Sequence, residues 1–142
     1  MGIWKKIINM DDINQWCKNN MVEHIGIRIT DVGDDYIKAT MPVDQRTHQP
    51  MGILHGGASV VLAETLGSIA ANLAVKDPFY CVGMEINANH IKSAFGDYVI
   101  GTVSPVHIGK STHVWDITIR DKDEELICVS RITLAVLTSL PV

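Results

Sequence analysis

Glu64 is an acidic residue within an otherwise largely apolar segment of the sequence. Val60 to Ala63 precede it, and Leu66 follows two positions later. An ionised carboxylate in apolar surroundings costs free energy unless it is paired or opens onto a polar cavity. Loss of hydration also raises the pKa of a carboxyl group, which suits a base or a nucleophile acting near neutral pH. Glu64 is therefore our candidate catalytic residue, and an ion pair with Arg46 or Arg131 is the structural alternative.

Gly56 and Gly57 stand directly before this apolar segment and follow His55. The first N–H groups of a helix beginning here would have no partner within the helix and would carry a partial positive charge. Without side chains around them, these groups could bind an oxygen that gains negative charge during a reaction. A simple tight turn from loop to helix is the alternative. His55 and Gln49 flank the glycines and could orient a carbonyl group or hold a water molecule.

Thr65, Ser68 and Asn72 follow Glu64 at helical spacing. Together they predict a narrow polar line along a helix that is otherwise apolar. Because each polar group loses hydration when such a helix packs, the line indicates a pocket rather than a plain packing surface.

Other catalytic chemistries find little support in the residue spacing. His48, His55 and His90 do not form an HExxH or comparable ligand pattern, so we expect neither a metal ion nor another cofactor. Neither Ser59 nor Ser68 lies in the GxSxG turn that presents a nucleophilic serine.

Two later segments combine backbone turns with basic and hydroxyl side chains. The first is NANHIKS at 87–93, and the second is HIGKST at 107–112. Backbone N–H groups together with a lysine can hold phosphate groups in such segments. A short basic turn that is simply hydrated is the alternative for each.

The apolar periodicity predicts the element order α-β-β-α-β-β-β-β. The first helix runs from Asn9 or Asp11 to about Asn20, with Ile13, Trp16 and Cys17 on its apolar side. The second helix, from Ala58 to about Val75, is apolar on all sides and is therefore expected to be buried. We expect strands at 25–30, 36–41, 80–92, 98–108, 113–120 and 126–137.

The chain has 142 residues, which is the size of a single domain, and we assign one domain to 1–142. Its formal charge of −4 disfavours nucleic-acid binding. Cys17, Cys81 and Cys128 are odd in number and widely spaced, which favours reduced thiols and a cytoplasmic location. We find no signal peptide and no apolar run of membrane-spanning length.

A sheet hides its apolar face only against another layer, so the economical arrangement is a sheet curled around the long helix. One such layer leaves a sheet edge and part of the helix uncovered. We therefore expect a homodimer, since closed two-fold assembly is the common solution.

The sequence resembles the hotdog-fold acyl-CoA thioesterases, and most closely the bacterial branch that hydrolyses aromatic acyl-CoA esters. The resemblance runs from Trp4 to about Leu137 and is most specific in MPVDQRTHQPMGILHGGASVVLAETLGS and VGMEINANHIKSA. It implies the hotdog fold of the α+β class, a six-stranded antiparallel sheet wrapped around one long central helix, with a short N-terminal helix. It also implies hydrolysis of a hydroxybenzoyl- or dihydroxynaphthoyl-like acyl-CoA by a homodimer or a dimer of dimers.

The resemblance also implies residue roles. Glu64 would be the nucleophile or the general base, the Gly56 N–H would polarise the thioester carbonyl with support from His55, and Gln49 would position the carbonyl or a water. Glu64 of one subunit would face the other three residues in its partner. Thr65 and Ser68 would line the acyl pocket. The residues expected to bind the CoA arm are Gly83, His90, Ile91, Lys92, Ser93, His107, Ile108, Gly109, Lys110, Ser111 and Thr112.

Two other functions fit the same fold. One is a non-catalytic acyl-CoA-binding protein, which would have no need of a desolvated carboxylate. The other is a hotdog dehydratase that uses a His/Glu pair. Fold alone does not separate these functions, because one architecture hosts several chemistries.

Overall fold

The computed structural model describes residues 2–6 and 9–138. Three helices and six strands follow one another along the chain in the predicted order, except that one of the helices, the short α2, was not predicted. They are α1 Met10–Trp16, α2 Met21–His24, β1 Arg28–Val32, β2 Ile37–Pro42, α3 Gly56–Leu73, β3 Tyr80–His90, β4 Tyr98–Ile108, β5 Thr112–Asp121 and β6 Leu126–Leu137.

The six strands form one antiparallel sheet in the order β1-β2-β4-β5-β6-β3. Alternate residues of β5, from His113 through Trp115 and Ile117 to Ile119, are buried against α3. This period of two is the pattern that one buried face of a strand requires. The sheet packs around α3 as expected, so the predicted hotdog fold is confirmed. β3 lies at one edge of the sheet.

Helix α3 buries one side against the sheet and leaves the other half-exposed. Leu62, Leu66 and Ala70 are fully buried, whereas Val61 and Thr65 are only partly covered. The expectation that the whole circumference is buried is therefore wrong for the single subunit, because the sheet covers one side only. The helix also starts at Gly56 rather than Ala58, so the glycines belong to its first turn.

The N-terminal region departs further from the sequence prediction. The first helix ends at Trp16 and a second begins after Asn20, whose side chain accepts a hydrogen bond from the Val22 N–H at 3.0 Å. That cap starts a new helix where we expected the first one to end. Ile25 is buried as predicted, but it precedes β1, which begins at Arg28.

No helix among residues 2–6 and 9–138 has the length and the apolar character needed to cross a membrane. The longest, α3, has 18 residues and carries Glu64 close to its middle.

Candidate active site

His55 caps the start of α3. Its Nδ1 accepts a hydrogen bond from the Gly57 N–H at 2.7 Å, so the proton of the neutral ring is on Nε2. The His55 N–H donates to the Thr47 carbonyl at 2.8 Å and fixes the loop before the helix. The Gly56 N–H has no hydrogen-bond partner within the described part of the chain. The helix therefore presents one free donor at its positive end.

His90 lies directly against Gly56. A methyl group on Gly56 would come within 2.8 Å of His90 Nε2, so any side chain there would displace the imidazole. Gln49 belongs to the same region, and its Oε1 accepts a hydrogen bond from the Met51 N–H. These residues line a groove of about 300 Å³, called here the helix-start groove. Its polar lining consists of Gln49, Gly56, Ser59, His90, Lys92 and Ser93, and Ile91 adds apolar surface.

Glu64 opens onto a second groove, between α3 and the N-terminal helices. Burial raises the pKa of its carboxyl group above the ordinary value. The ion-pair alternative is wrong for the described residues, because both arginines are bound elsewhere. Arg46 pairs with Asp44 at 2.7 Å, and Arg131 pairs with Asp116 at 2.6 Å. Glu64 is thus a partly desolvated carboxyl group without a salt-bridge partner in that part of the chain.

Gly83 of β3 packs beside the Glu64 carboxylate. A methyl group on Gly83 would lie 2.5 Å from Glu64 Oε1, so the carboxylate occupies space that only glycine leaves open. The register of β3 against β6 shifts between Gly83 and Glu85. Asn72 holds the helix to this strand, since it donates to the Cys81 carbonyl at 3.0 Å and accepts from the Cys81 N–H at 2.8 Å. Our sequence analysis placed Gly83 in the CoA site, and the structure adds a contact with Glu64.

The groove around Glu64, called here the carboxylate groove, measures about 320 Å³. Thr65 and Ser68 line it together with Glu64, so the structure brings these three predicted residues together. Neither hydroxyl has a hydrogen-bond partner within the described ranges, which leaves both free for a ligand. The remaining lining residues are Trp16, Cys17, Asn20, Val22 and Ile69.

Sequence reasoning missed the contribution of α1 and α2 to this groove. We placed Trp16 on the apolar side of its helix with Ile13 and Cys17, both of which are buried. Trp16 instead leaves 55% of its surface exposed. At 100° per residue, Trp16 lies about 60° from Ile13 on the side away from Cys17, at the border of the apolar face. This border position is the sequence feature that could have indicated that Trp16 is exposed.

The two grooves are separate in one subunit. Gly56 and Glu64 are eight residues apart on α3, which is about 12 Å along the helix axis. A Glu side chain does not bridge that distance to reach a carbonyl oxygen held at the Gly56 N–H. The two groups therefore cannot act on the same thioester within one copy of the chain.

The two predicted phosphate-binding segments have different positions. His90 to Ser93 lines the helix-start groove, where Lys92 Nζ lies 3.6 Å from Glu125 Oε2. His107 to Thr112 forms the turn between β4 and β5, closed by a hydrogen bond from the Gly109 N–H to the Thr112 carbonyl at 2.9 Å. This second segment lines neither groove of the subunit.

Comparison with known proteins identifies the family of this chain. The model of the thioesterase superfamily matches residues 51–128, which include both the helix start and Glu64. The chain belongs to the thioesterase superfamily. The 1,4-dihydroxy-2-naphthoyl-CoA hydrolase of Escherichia coli is 49% identical to this thioesterase over 135 residues, covering 95% of this chain and 99% of the relative. The proofreading thioesterase EntH of Cronobacter sakazakii is 46% identical, with coverage of 95% and 98%.

Solved structures agree with this assignment. A crystal structure of a thioesterase from Haemophilus influenzae superimposes on this thioesterase with a TM-score of 0.95 and 46% identity. The match covers 98% of this chain and 97% of that one. The hotdog architecture and the enzyme class are therefore shared over nearly the full length.

Proposed function

We propose that this thioesterase hydrolyses aromatic acyl-CoA thioesters to the free carboxylic acid and CoA, with Glu64 as the catalytic carboxylate. One observation carries the proposal: Glu64 is partly buried, has a raised pKa, lacks an ion-pair partner in the described chain and opens onto a groove. A carboxylate in that setting does not stabilise the fold. A raised pKa and access to a groove are, however, the properties that a general base requires.

We further propose that the site is completed by a second copy of the chain. The distance of about 12 Å between Gly56 and Glu64 along α3 prevents one subunit from supplying both groups. The half-exposed side of α3 and the edge strand β3 are the surfaces that a partner would cover. In the dimer, Glu64 faces Gln49, His55 and Gly56 of the partner subunit.

The proposed chemistry proceeds through a tetrahedral intermediate. The thioester carbonyl oxygen binds at the free Gly56 N–H, where the start of the helix stabilises negative charge. Glu64 takes a proton from a water molecule as the water oxygen bonds to the carbonyl carbon. The C–S bond then breaks, the electron pair leaves with sulfur, and the protonated Glu64 returns its proton to the thiolate. Attack by Glu64 itself, followed by hydrolysis of the anhydride, is the other route.

The aromatic substrate class rests on the groove and on the relatives. The carboxylate groove has room for a flat ring and offers the hydroxyls of Thr65 and Ser68. The Escherichia coli relative is named for a dihydroxynaphthoyl-CoA ester. Lys92 and its neighbours, and the turn at 107–112, are the proposed contacts of the CoA phosphates.

Glu64→Gln and Glu64→Ala test the proposal with benzoyl-CoA as substrate and a thiol reagent as the detector of free CoA. Loss of the base predicts a decrease in kcat of at least ~100-fold. Glu124→Gln is the matched control, because Glu124 is an exposed carboxylate in the turn between β5 and β6 and lines neither groove, and its kcat should be unchanged. Near wild-type turnover of either Glu64 variant would contradict the assigned role.

A parallel assay with a 3-hydroxyacyl-CoA separates hydrolysis from dehydration. Release of thiol from benzoyl-CoA without water loss from the 3-hydroxyacyl ester supports the thioesterase function. Dehydration without thiol release supports a dehydratase, and binding without either reaction supports a non-catalytic acyl-CoA-binding protein.

A further inference from the structure

Trp16 differs from the other two tryptophans of the chain. Trp4 and Trp115 stack on each other with their ring centroids 6.1 Å apart, and Trp115 is fully buried in the core. Trp16 leaves more than half of its surface exposed and lines the carboxylate groove, on the wall facing α3. An indole so exposed adds little to the stability of the fold, since the stabilisation grows with the apolar area removed from water.

The corner that carries Trp16 is held in place by hydrogen bonds. The Asn20 amide donates to the Trp16 carbonyl at 3.0 Å and to the Lys18 carbonyl at 3.3 Å, and its oxygen accepts from the Val22 N–H. Asn20 is therefore occupied by the backbone of this corner. These bonds fix the backbone from which the indole extends, which limits the ordering cost when a ligand stacks on it.

The opposite side of the groove carries the reacting group. Glu64, Thr65, Ser68 and Ile69 approach from α3, so a ligand between the helices meets Trp16 on one side and the carboxylate side of α3 on the other. A flat aromatic ring suits an indole wall, because offset or edge-to-face contact between rings adds attraction beyond the buried area. A flexible alkyl chain gains only burial.

We propose that Trp16 is a specificity-determining residue that selects aromatic over straight-chain acyl groups by contact between its indole and the acyl ring. This inference rests on the proposed function, since it assigns the acyl group to the groove that contains Glu64. It adds a substrate-contacting residue from the N-terminal helices to a proposed site whose other residues lie on α3, on β3 and in loops.

The test compares Trp16→Ala and Trp16→Phe through the ratio of kcat/KM for benzoyl-CoA to kcat/KM for hexanoyl-CoA. Trp16→Ala should lower this ratio about tenfold, mainly by raising the KM for benzoyl-CoA. Trp16→Phe keeps an aromatic face and should stay within about threefold of wild type. Met21→Ala is the matched control, because Met21 is 60% exposed on the adjacent helix and does not line the groove.

A binding measurement gives a second readout that does not require turnover. Phenacyl-CoA carries a methylene group between the carbonyl and the sulfur, so it cannot be hydrolysed as a thioester. It should quench the fluorescence of the wild-type protein. The quench should be lost in Trp16→Phe, which keeps Trp115 in the core and the partly buried Trp4 stacked on it.

The outcomes separate this inference from the proposed function. If the wild type cleaves benzoyl-CoA in a Glu64-dependent way and Trp16→Ala leaves the ratio unchanged, the role of Trp16 is overturned and the function stands. If the wild type cleaves no acyl-CoA, both fail. A changed oligomeric state of Trp16→Ala in sedimentation analysis, with an unchanged ratio, would make Trp16 a subunit contact and would also overturn the inference.

Discussion

The two sides of α3 differ in burial and in the residues that they carry. On the sheet side, Leu62, Ala63 and Leu66 are fully buried, and every position contributes to packing. On the groove side, Glu64 and Ser68 remain partly exposed, and the carboxyl group has a pKa raised by burial. The sheet side stabilises the domain. The groove side holds the Glu64 carboxyl group, whose partial desolvation destabilises the domain.

The two sides of α3 therefore have different roles in the same helix. The apolar side contributes burial energy of roughly 25 cal/mol for each Å² of apolar surface removed from water. The stability gained there allows a partly desolvated carboxyl group on the other side to be tolerated. Substitutions on the first side should therefore change stability, and substitutions on the second side should change activity.

The adjacent residues Leu66 and Thr65 test the contrast most strongly. Leu66→Ala removes a fully buried side chain whose Cδ1 lies over Gly101, so it should lower the free energy of unfolding by about 3 kcal/mol. Thr65→Ala on the half-exposed side should lower it by less than about 0.5 kcal/mol. Urea denaturation of both variants measures the difference. Equal losses would show that the groove side also supports the fold.

The pH dependence of kcat/KM follows from Glu64. A general base works only when ionised, so activity should fall as the pH decreases through the raised pKa of Glu64, by about tenfold per unit well below it. The midpoint should lie above 4.5, the ordinary value for a glutamate. A rate profile between pH 4 and pH 8 with benzoyl-CoA gives this midpoint. Persistence of the same limb in the residual activity of Glu64→Gln would assign it to another group.

Gly83→Ala tests the contact between β3 and the carboxylate. The added methyl group would meet Glu64 Oε1 at 2.5 Å, and the flexible end of that side chain is the part that moves. We expect kcat/KM to fall about fivefold with little change in Tm. Asp123→Ala, in the exposed turn between β5 and β6, should leave both unchanged. A large drop in Tm for Gly83→Ala would show that the backbone of β3, rather than Glu64, gives way.

His113 is a titratable group on the face of β5 that packs against α3, and we expect its effect on stability to be small. It is fully buried, and its Nε2 has no partner within the described residues. Burial, with a smaller contribution from His107, lowers its pKa below 6.5. The unfolded chain then binds a proton that the folded one does not, so stability should decrease as the pH falls below about 6.5.

The slope of that decrease should stay at or below about 1.4 kcal/mol per pH unit for this one group. His113→Leu removes the group, and denaturation at pH 5.5 and pH 7.5 compares the two proteins. If the wild type and the variant lose the same stability between these two pH values, the acid sensitivity comes from elsewhere.

Strongly periodic segments were predictable from the sequence. The bounds of β4 and β6 match the expected residues, because their apolar alternation is long and is bounded by clear turns. The N-terminal region was not, because the Asn20 cap starts a second helix inside a segment whose pattern also fits one continuous helix. The side chains of Ile25 and Ile27 are buried by tertiary packing rather than by strand pairing.

The candidate site was predictable where the chemistry depends on local sequence. Glu64, Thr65 and Ser68 share a groove because helical spacing places them on one side of α3. The contact of Gly83 with Glu64 was not predicted from the sequence, because it depends on how β3, which follows α3 in the chain, pairs within the sheet. The separation of Gly56 and Glu64 was also predictable, because eight residues of helix span about 12 Å along the axis.

The edge position of β3 implies that the activity per chain would depend on the protein concentration. β3 carries Gly83 beside Glu64, the proposed catalytic carboxylate, and also forms an edge of the sheet. Pairing of β3 with a second copy of the chain would therefore extend the sheet and complete the proposed site in one event. Turnover per polypeptide would then rise with protein concentration until every chain has found its counterpart.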